Sequence, residues 1–405
     1  MKSILVINQF AGTPESGWGE RHYYFAKYWK EQGYDVTIVS SSFNHMFKKT
    51  VQVDGFCKEE VYNGIKFYWI KTPVYDPKSV KRFVSMLIFA WRVLFINKYL
   101  GNKPDFIIVS SMPIFPILSG FFLKKKFKSS KLILEIRDIW PLSLIELAKV
   151  SRYHPLVLFI GWFEKFGYRK SDLVVSLLPN ARAHIEEVAK RKVNFEYIPN
   201  GIDPDQLKDE PLDQQTLKLL PVGAKMIIGY TGTIGLANAL EFFIEAAKSV
   251  SRSYPDIHYV LVGDGYLKTR LVEESADCPQ IHFIPKIKKD QVQNIIRYFD
   301  VCFVGIHDNL ALYKHGISVN KYFDYMLAGK PILDSNNLIK DAVEVCGCGI
   351  IVPPGSASEI EAGILKFYNM NASDRALMGG KGKAYVLSNH SIKFLSQKYL
   401  NAITE

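Results

Sequence analysis

The sequence predicts an α/β protein made of two doubly wound domains, each with a parallel sheet. Three observations support this prediction. The chain has 405 residues, more than a single hydrophobic core usually accommodates. Short apolar, β-branched runs alternate with longer amphipathic stretches in two successive series, as parallel strands alternate with crossover helices. Turn-forming residues at 200–204, Asn-Gly-Ile-Asp-Pro, separate the two series.

Several of the predicted strands are apolar throughout, as expected of strands buried on both faces. The predicted strands of the first half, taken together, are Ile4–Asn8, Asp35–Ser40, Ile65–Ile70, Phe106–Ser110, Leu132–Ile136, Leu173–Leu177 and Phe195–Ile198. In the second half they are Met226–Thr231, His258–Val262, His282–Ile284, Val301–Gly305, Pro331–Asp334 and Gly349–Val352. We therefore predict an N-terminal domain at 1–199, a C-terminal domain at 200–385 beginning with a linker at 205–223, and a helix at 386–405 that packs back on the N-terminal domain. Open α/β sheets bind ligands at their carboxyl ends, so a nucleotide-type ligand fits this architecture.

Composition excludes several classes of protein. With 48% hydrophobic and 22% charged residues, the chain is foldable rather than disordered. The five cysteines fit neither a disulfide framework nor paired zinc knuckles, and a reducing cytoplasm is the expected compartment. Metal binding by Cys346 and Cys348 is a weaker alternative to two small buried residues. The apolar run Ile4–Ile7 is too short for a signal peptide and is predicted as the first strand.

The turn after the first predicted strand is rich in glycine and includes Gly17. Glycines at the start of a helix let backbone N–H groups approach an anion. The turn lacks the GxGxxG pattern, and no suitable acid ends the second strand, which disfavours a dehydrogenase. A flexible connection without a ligand is the alternative.

Three strand–turn–helix motifs in the second half are more specific. They are GYTGTIGLANALE at 229–241, VLVGDG at 260–265 and NKYFDYMLAGKPIL at 320–333. Together with EIRDIWP at 135–141 and IPNGID at 198–203, in this order, they resemble glycosyltransferase family 4 over almost the whole chain. EIRDIWP is similar to a motif of the branch that contains bacterial transferases for N-acetylfucosamine-type sugars in O-antigen and capsule synthesis.

The resemblance implies the GT-B fold, in which two Rossmann-like domains face each other across a cleft. It further implies retaining transfer with neither a cofactor nor a required metal. A nucleotide-sugar donor, UDP-linked by expectation, would bind the second domain, and the acceptor would approach over the first. Asp324 matches the acid that grips the ribose hydroxyls, a role that suits a carboxylate because it accepts two hydrogen bonds at once. A solvent-facing helix acid is the alternative for Asp324.

The predicted site contains catalytic and donor-binding residues. The catalytic residues are Lys321, Arg137 and Asp138. The donor-binding residues are Gly17, Gly232, Thr233, Gly235, Asn238, Gly263, Asp264, Pro285, Lys286, Gly316, Ile317, Ser318 and Asp324. The sequence suggests that the departing diphosphate is stabilised by Lys321 and by the amides of 232–235.

The chain departs from the family pattern in three places. The family's first acid is Gly316, where the amides of Ile317 and Ser318 remain available. The diphosphate-binding Arg and Lys align with Thr233 and Asn238, so Lys321 becomes the nearest cation, supported by Lys286 or Lys288. The His-Asp pair of the first domain appears as Arg137-Asp138, for which an ordinary ion pair is the alternative. These departures favour a donor that lacks a hydroxyl, such as a 6-deoxy amino sugar.

Positive charge is concentrated between Lys78 and Lys131, where eleven Lys and Arg residues accompany one acid, Asp105. No segment there is predicted to span a membrane, since Arg92 would lie in mid-bilayer and 106–123 contains two prolines. An amphipathic helix followed by three lysines at 124–126 predicts attachment to an anionic membrane, at the inner face of the bacterial cytoplasmic membrane. A solvated surface is the alternative, and a nucleic-acid partner is not expected.

The predicted acceptor is a lipid-linked, polyprenyl-diphosphate saccharide of surface polysaccharide synthesis. Two other functions remain open. A UDP-sugar 2-epimerase would need acid and base groups around the sugar, and no convincing set is visible. A non-catalytic nucleotide-sugar-binding subunit would fit the missing acid at Gly316, but Lys321, Asp324 and the glycine turns oppose it.

Overall fold

The computed structural model describes residues 1–128, 130–206, 210–307, 311–338 and 341–405. The chain divides into two compact units. The N-terminal unit comprises Met1–Asn200, Ala311–Ser318 and Ile392–Glu405, and the C-terminal unit comprises Gly201–Leu310 and Val319–Ser391. Residues 207–209 of the predicted linker lie outside the described residues.

The N-terminal unit contains an eight-stranded sheet. Its strands are β1 (Ser3–Ile7), β2 (Asp35–Ser41), β3 (Cys57–Tyr62), β4 (Ile65–Ile70), β5 (Phe106–Ser110), β6 (Lys131–Ile136), β7 (Leu173–Ser176) and β8 (Phe195–Tyr197). Its helices are α1 (Arg21–Glu31), α2 (Val80–Val93), α3 (Pro116–Phe127), α4 (Leu142–Leu147), α5 (Pro155–Lys170), α6 (Arg182–Ala189) and, at the far end of the chain, α15 (Ile392–Thr404). The strand order is β3-β4-β2-β1-β5-β6-β7-β8, and only the β3–β4 pair is antiparallel.

Alternate residues of this sheet face two different helical layers. Ile4 and Val6 pack in the layer of α1 and α15, whereas Leu5 and Ile7 pack in the layer of α2, α3, α5 and α6. Chain order places β2 on one side of β1 and β5 on the other. The carboxyl end of β1 is therefore the switch point of the unit, where a doubly wound sheet opens a crevice.

The C-terminal unit contains a second, six-stranded parallel sheet in the order β11-β10-β9-β12-β13-β14. The strands are β9 (Met226–Thr231), β10 (Ile257–Val262), β11 (Ile281–Ile284), β12 (Val301–Gly305), β13 (Ile332–Ser335) and β14 (Gly349–Val352). The helices are α7 (Gln214–Lys218), α8 (Leu240–Ser251), α9 (Lys268–Glu274), α10 (Val292–Ile296), α11 (Asn320–Leu327), α12 (Ala342–Cys346), α13 (Ala357–Asn369) and α14 (Ala372–Asn389). Its switch point lies at the carboxyl end of β9, between β10 and β12.

The predicted fold class, two Rossmann-like α/β domains with parallel sheets, is confirmed. The edge strand β3 was not predicted from the sequence, although Asn63 and Gly64 are a hairpin signal and both have positive φ in the turn to β4. Within the predicted linker a short helix, α7, forms, and its start is capped by Asp213. The segment predicted as one helix at 386–405 is divided, because α14 continues to Asn389 before α15 begins.

Candidate functional site

Two glycines bring the first two strand–turn motifs of the C-terminal unit together. Gly232, after β9, has a φ of 143°, and a Cβ there would lie 2.9 Å from Cε of Lys321. Gly263, after β10, has a φ of 152°, and a Cβ there would lie 1.9 Å from the carbonyl oxygen of Gly232. Both positions require glycine because the φ values are unfavourable for other residues and the space is taken.

Most amides of the 232–235 turn already donate hydrogen bonds within the protein. The amide of Gly232 donates to the Val262 carbonyl at 2.9 Å, that of residue 234 to the Asp264 carbonyl at 2.9 Å, and that of Gly235 to the Thr233 carbonyl at 3.1 Å. The predicted anion cradle of four backbone amides is therefore not seen in this conformation. Among the described residues, only the Thr233 amide of the four has no such acceptor.

Lys321 is the centre of a small polar cluster on the same unit. Its Nζ donates to Oδ1 of Asn238 at 2.6 Å and lies 5.3 Å from the ring centre of Tyr230. The side-chain amide of Asn238 and the hydroxyl of Tyr230 in turn donate to the backbone carbonyl oxygen of Thr233, at 2.9 Å and 2.6 Å. The structure thus joins Lys321, Asn238, Thr233 and Gly232, four of the residues predicted from sequence. Burial lowers the pKa of Lys321 to about 8, although the carboxylates of Asp334 and Asp324 oppose the shift.

Two acids near Lys321 have raised pKa values. Asp324 lies one helical turn after Lys321 on α11, is half-buried rather than solvent-facing, and burial raises its pKa to about 6. Asp334, at the carboxyl end of β13, was missed in the sequence analysis. It is fully buried, and burial together with Asp341 raises its pKa to about 7. Its Oδ2 accepts from the Tyr322 hydroxyl at 2.6 Å, but its Oδ1 has no partner among the described residues.

The remaining predicted residues of this unit lie at the carboxyl ends of β10 and β11. Asp264 accepts a hydrogen bond from the next amide at 2.8 Å and so supports its own turn. Pro285 and Lys286 directly follow β11 and are exposed. Lys288 lies 3.8 Å from a carboxylate oxygen of Glu210. No hydrogen bond or ion pair of the described residues joins Lys286 or Lys288 to the Lys321 cluster.

In the N-terminal unit, a buried ionic network surrounds Glu135 at the carboxyl end of β6. Its carboxylate lies 3.3 Å from Arg21 and 3.0 Å from Nε2 of His22, and it accepts from the Ser110 hydroxyl at 2.9 Å. Burial would raise the pKa of Glu135, but the charge of Arg21 and the contact with His22, whose own pKa is lowered by burial, hold it well below its usual range. Arg21 also donates to the carbonyl oxygens of Pro199 and Ile198, at 2.6 Å and 2.8 Å.

This network changes the interpretation of Arg137. Glu135 pairs with Arg21 instead, and in the described part of the chain Arg137 makes no salt bridge. The Arg137 amide is held by the Ser111 hydroxyl at 3.0 Å, and Asp138 beside it is exposed. The ordinary ion pair considered for Arg137 is therefore absent from the described residues. Arg21 and His22 were not predicted from the sequence, because their side chains meet Glu135 only through the fold.

Two further predicted segments belong to the N-terminal unit. Gly17, with a φ of 69°, ends a short 3-10 turn that is capped by the side chain of Thr13. Gly316, Ile317 and Ser318 were predicted on the C-terminal domain, but the structure groups them with the N-terminal unit. Gly316 has a φ of 86°, and a Cβ there would lie 2.5 Å from Cδ of Pro179.

The Gly316 segment is held by neighbours of the same unit. The backbone carbonyl of His315 accepts a hydrogen bond from the backbone amide of Asn180 at 3.1 Å. The ring centre of His315 lies 5.1 Å from that of His184. His184 contacts the buried carboxylate of Glu164 at 2.9 Å. Burial and the charge on His184 lower the pKa of His315 to about 4. His315 is therefore neutral at physiological pH.

The described residues contain neither a membrane-spanning helix nor a cluster of metal-ligating side chains. None of their helices is long and apolar enough to cross a membrane. Likewise, the described ranges contain no group of three or more His, Cys, Asp or Glu side chains arranged to hold a metal ion.

Two family models match separate parts of the chain. Glycosyltransferase Family 4 matches residues 17–206, and Glycosyl transferases group 1 matches residues 225–370. An uncharacterized glycosyltransferase of Methanocaldococcus jannaschii is 28% identical over 182 residues, 42% of each chain. An alpha-D-kanosaminyltransferase of Streptomyces kanamyceticus is 28% identical over 128 residues, 28% of this chain and 33% of that protein. The matches thus span less than half the length of these curated relatives.

Solved structures resemble the fold over nearly its whole length. A sucrose-phosphate synthase from Thermosynechococcus elongatus superposes with a TM-score of 0.71 at 15% identity, covering 99% of this chain and 98% of the other. A trehalose-6-phosphate structure from E. coli, bound with UDP-2-fluoro glucose, superposes with a TM-score of 0.74 at 12% identity, covering 100% and 99%. At these identities the likeness concerns the fold alone.

Proposed function

We propose that the chain, whose fold is that of GT-B proteins, is a glycosyltransferase that transfers a sugar from a UDP-linked donor to a lipid-linked saccharide with retention of configuration, a proposal that the two matching family models support. The observation that carries this proposal is the Lys321 cluster beside the switch point of the C-terminal sheet. A half-buried cation, held by Asn238 and surrounded by glycine turns, suits the diphosphate of a nucleotide sugar.

The bound ligands of similar folds support a nucleotide-sugar donor. The E. coli trehalose-6-phosphate structure carries UDP-2-fluoro glucose, and an Anabaena structure with a TM-score of 0.66 holds UDP and glucose. In this chain Asp324 would accept hydrogen bonds from the two ribose hydroxyls. Burial raises the pKa of Asp324 to about 6. A bound diol would donate hydrogen bonds to the carboxylate and would thereby favour its ionised form.

In the proposed reaction the protein acts mainly by stabilising the leaving diphosphate. In retaining transfer on one face, the departing diphosphate oxygen can take the proton of the acceptor hydroxyl, so no enzymic base is required. What the protein must supply is positive charge where the diphosphate charge develops. Lys321 would supply it by exchanging Asn238 for a phosphate oxygen, and the Thr233 amide would add a neutral donor.

The proposed donor sugar is a 6-deoxy-N-acetylhexosamine. The position of the family's first acid is Gly316, which has no side chain to bind a sugar hydroxyl. A sugar with fewer hydroxyls leaves fewer groups unpaired in such a site. The kanosaminyltransferase similarity, although partial, supports an amino-sugar donor.

The proposed acceptor is a polyprenyl-diphosphate saccharide of O-antigen or capsule synthesis, bound over the N-terminal unit, where Arg137 and Asp138 lie. A lipid-linked acceptor requires the enzyme at a membrane, here the inner face of the bacterial cytoplasmic membrane. Support comes from the local excess of basic residues between Lys78 and Lys131.

Incubation with a panel of labelled UDP-sugars, with and without a polyprenyl-diphosphate-linked acceptor, tests the proposal. We expect acceptor-dependent transfer from 6-deoxy-N-acetylhexosamine donors, faster than from UDP-glucose and undiminished by EDTA. A UDP-sugar converted without acceptor would instead identify an epimerase. Donor binding without turnover across the panel would identify a non-catalytic subunit, and preferred use of UDP-glucose would refute the assigned sugar.

A further inference from the structure

The layer formed by α2, α3 and α5 of the N-terminal unit has an unusual outer surface. Large apolar side chains there point away from the core and are exposed. They are Val84, Trp91 and Phe95 on or after α2, Phe122 on α3, and Leu158, Phe159 and Trp162 on α5; we call this set the aromatic face. On α5, Leu158 and Trp162 are separated by one helical turn and are 59% and 53% exposed.

Ring contacts beneath the aromatic face join the three helices through buried and partly buried rings, and they reach two members of the face, Phe159 and Trp162. Phe115, just before α3, lies 5.4 Å from Phe83 of α2 and 5.9 Å from Phe159 of α5. Further along, Phe166 of α5 lies 5.2 Å from Phe121 of α3 and stacks on Trp162 at 5.5 Å. Several large exposed apolar side chains on neighbouring, packed helices are typical of an interaction site.

Basic residues predominate around the aromatic face, where the exposed acid Asp172 is paired with Lys124. Exposed basic residues border it on α3 and α5: Lys125, Lys126, Lys165, Arg169 and Lys170. The acid within α5, Glu164, is buried and turned to His184, so it does not offset them. A second copy of the chain would bring like charges together, whereas anionic lipid would neutralise them.

We propose that the aromatic face docks on a bilayer of anionic lipid, with Leu158, Phe159 and Trp162 of α5 entering the boundary between headgroups and acyl chains. Trp and Phe favour this depth, and lysines beyond them reach the headgroups. The proposal extends the membrane contact from the basic window of 78–131 to α5, whose Leu158, Phe159 and Trp162 lie outside that window. It rests on the proposed function only for the membrane in which the acceptor resides.

Vesicle flotation tests this docking. Wild-type protein should float with phosphatidylcholine vesicles containing phosphatidylglycerol, far more than with phosphatidylcholine alone. Leu158→Ser/Trp162→Ser should weaken binding by about tenfold or more, because two buried apolar groups are lost. Leu377→Ser, at a 66% exposed leucine of α14, is the matched control and should bind as wild type.

Two additional measurements separate insertion from charge attraction and from self-association. Acyl chains brominated near the headgroup should quench wild-type tryptophan fluorescence, and Trp162→Phe should remove a large part of that quenching. Lys165→Glu/Lys170→Glu should weaken binding to anionic vesicles, whereas Lys381→Glu on α14 should not. Equal flotation of wild type and the α5 variants would overturn the proposal, as would a dimer in sedimentation that dissociates with Leu158→Ser/Trp162→Ser.

The failure of this docking is distinguishable from failure of the proposed transferase reaction. With a detergent-soluble, short-chain acceptor, Leu158→Ser/Trp162→Ser should retain wild-type turnover while losing vesicle binding. No turnover by wild type with vesicle binding intact would refute the reaction and leave the docking surface standing.

Discussion

The two units differ in how completely their buried charged side chains are paired. In the N-terminal unit, Glu135 has a partner on each side, from Arg21, His22 and Ser110. In the C-terminal unit, Asp334 leaves one carboxylate oxygen unpaired among the described residues, and Lys321 relies on the neutral amide of Asn238. The pKa of Glu135 is accordingly lowered, while those of Asp334 and Asp324 are raised.

The difference distinguishes a structural network from a binding site. A buried charge whose partners are all in place stabilises one conformation and has nothing left to offer a ligand. Groups that are partly desolvated but incompletely paired gain partners when a ligand arrives. The contrast therefore predicts that substitutions around Glu135 affect folding, and that substitutions around Lys321 affect turnover.

The largest expected effect is on stability in the N-terminal unit. Glu135→Ala leaves Arg21 buried without its counter-charge and His22 without its carboxylate neighbour, and should lower the free energy of unfolding by about 3–5 kcal/mol. Denaturant unfolding measures it. Glu31→Ala, at an exposed acid on α1, is the control and should change the value by about 0.5 kcal/mol or less. A loss at Glu135 no larger than that of the control would remove the structural role assigned to the network.

The next effect is on catalysis in the C-terminal unit. Lys321→Ala should lower kcat by about 100- to 1000-fold, because the charge on the departing diphosphate loses its cation. Donor affinity, measured by calorimetry, should change much less. Lys381→Ala on α14 is the control, with activity expected to be that of wild type. Unchanged turnover in Lys321→Ala would refute the role of this lysine.

The third expectation concerns pH. Because burial raises the pKa of Asp334 to about 7, the folded chain keeps a proton that the unfolded chain releases near pH 4. The stabilisation from this group is complete below pH 4 and is lost as the pH rises through 7. The loss falls between pH 4 and pH 7, and Asp334→Asn should remove the part of it between pH 5 and pH 8, about 2–3 kcal/mol. Unfolding free energies at pH 5 and pH 8 measure it, and an unchanged pH slope in the variant would contradict the assignment.

The smallest effect tests the missing acid at Gly316. In Gly316→Ala the added Cβ would stand at a position with positive φ and would contact Pro179. The substitution should lower the free energy of unfolding by about 1–2 kcal/mol. Gly55→Ala is a matched control, since its φ is 84° but no atom lies within 4 Å of the added Cβ. The difference in melting temperature between the two variants isolates the Pro179 contact. Gly316→Glu, which restores the family's acid, should lose stability without gaining activity; a gain would show that the site still accommodates it.

The fold was predictable because strand periodicity and turn residues are local signals. The first strand of each sheet, β1 and β9, lies where the apolar runs placed it, within one residue. The edge strand β3 was missed because its residues alternate exposed and half-buried, and only Asn63-Gly64 marks it. Lys321 and Asn238 could be predicted together because their motifs follow strands whose carboxyl ends share one edge of the sheet.

Sequence by itself determined the alternation of strands and helices, the two domains, and the motifs that carry the resemblance to glycosyltransferases. These features follow from spacing along the chain. Only the tertiary structure decided that Glu135 pairs with Arg21 rather than Arg137, that Asp334 is buried beside Tyr322, and that α5 extends the aromatic face. The physical reason is that pairing and burial depend on residues distant in sequence, and free energies of charge depend on what surrounds them in space.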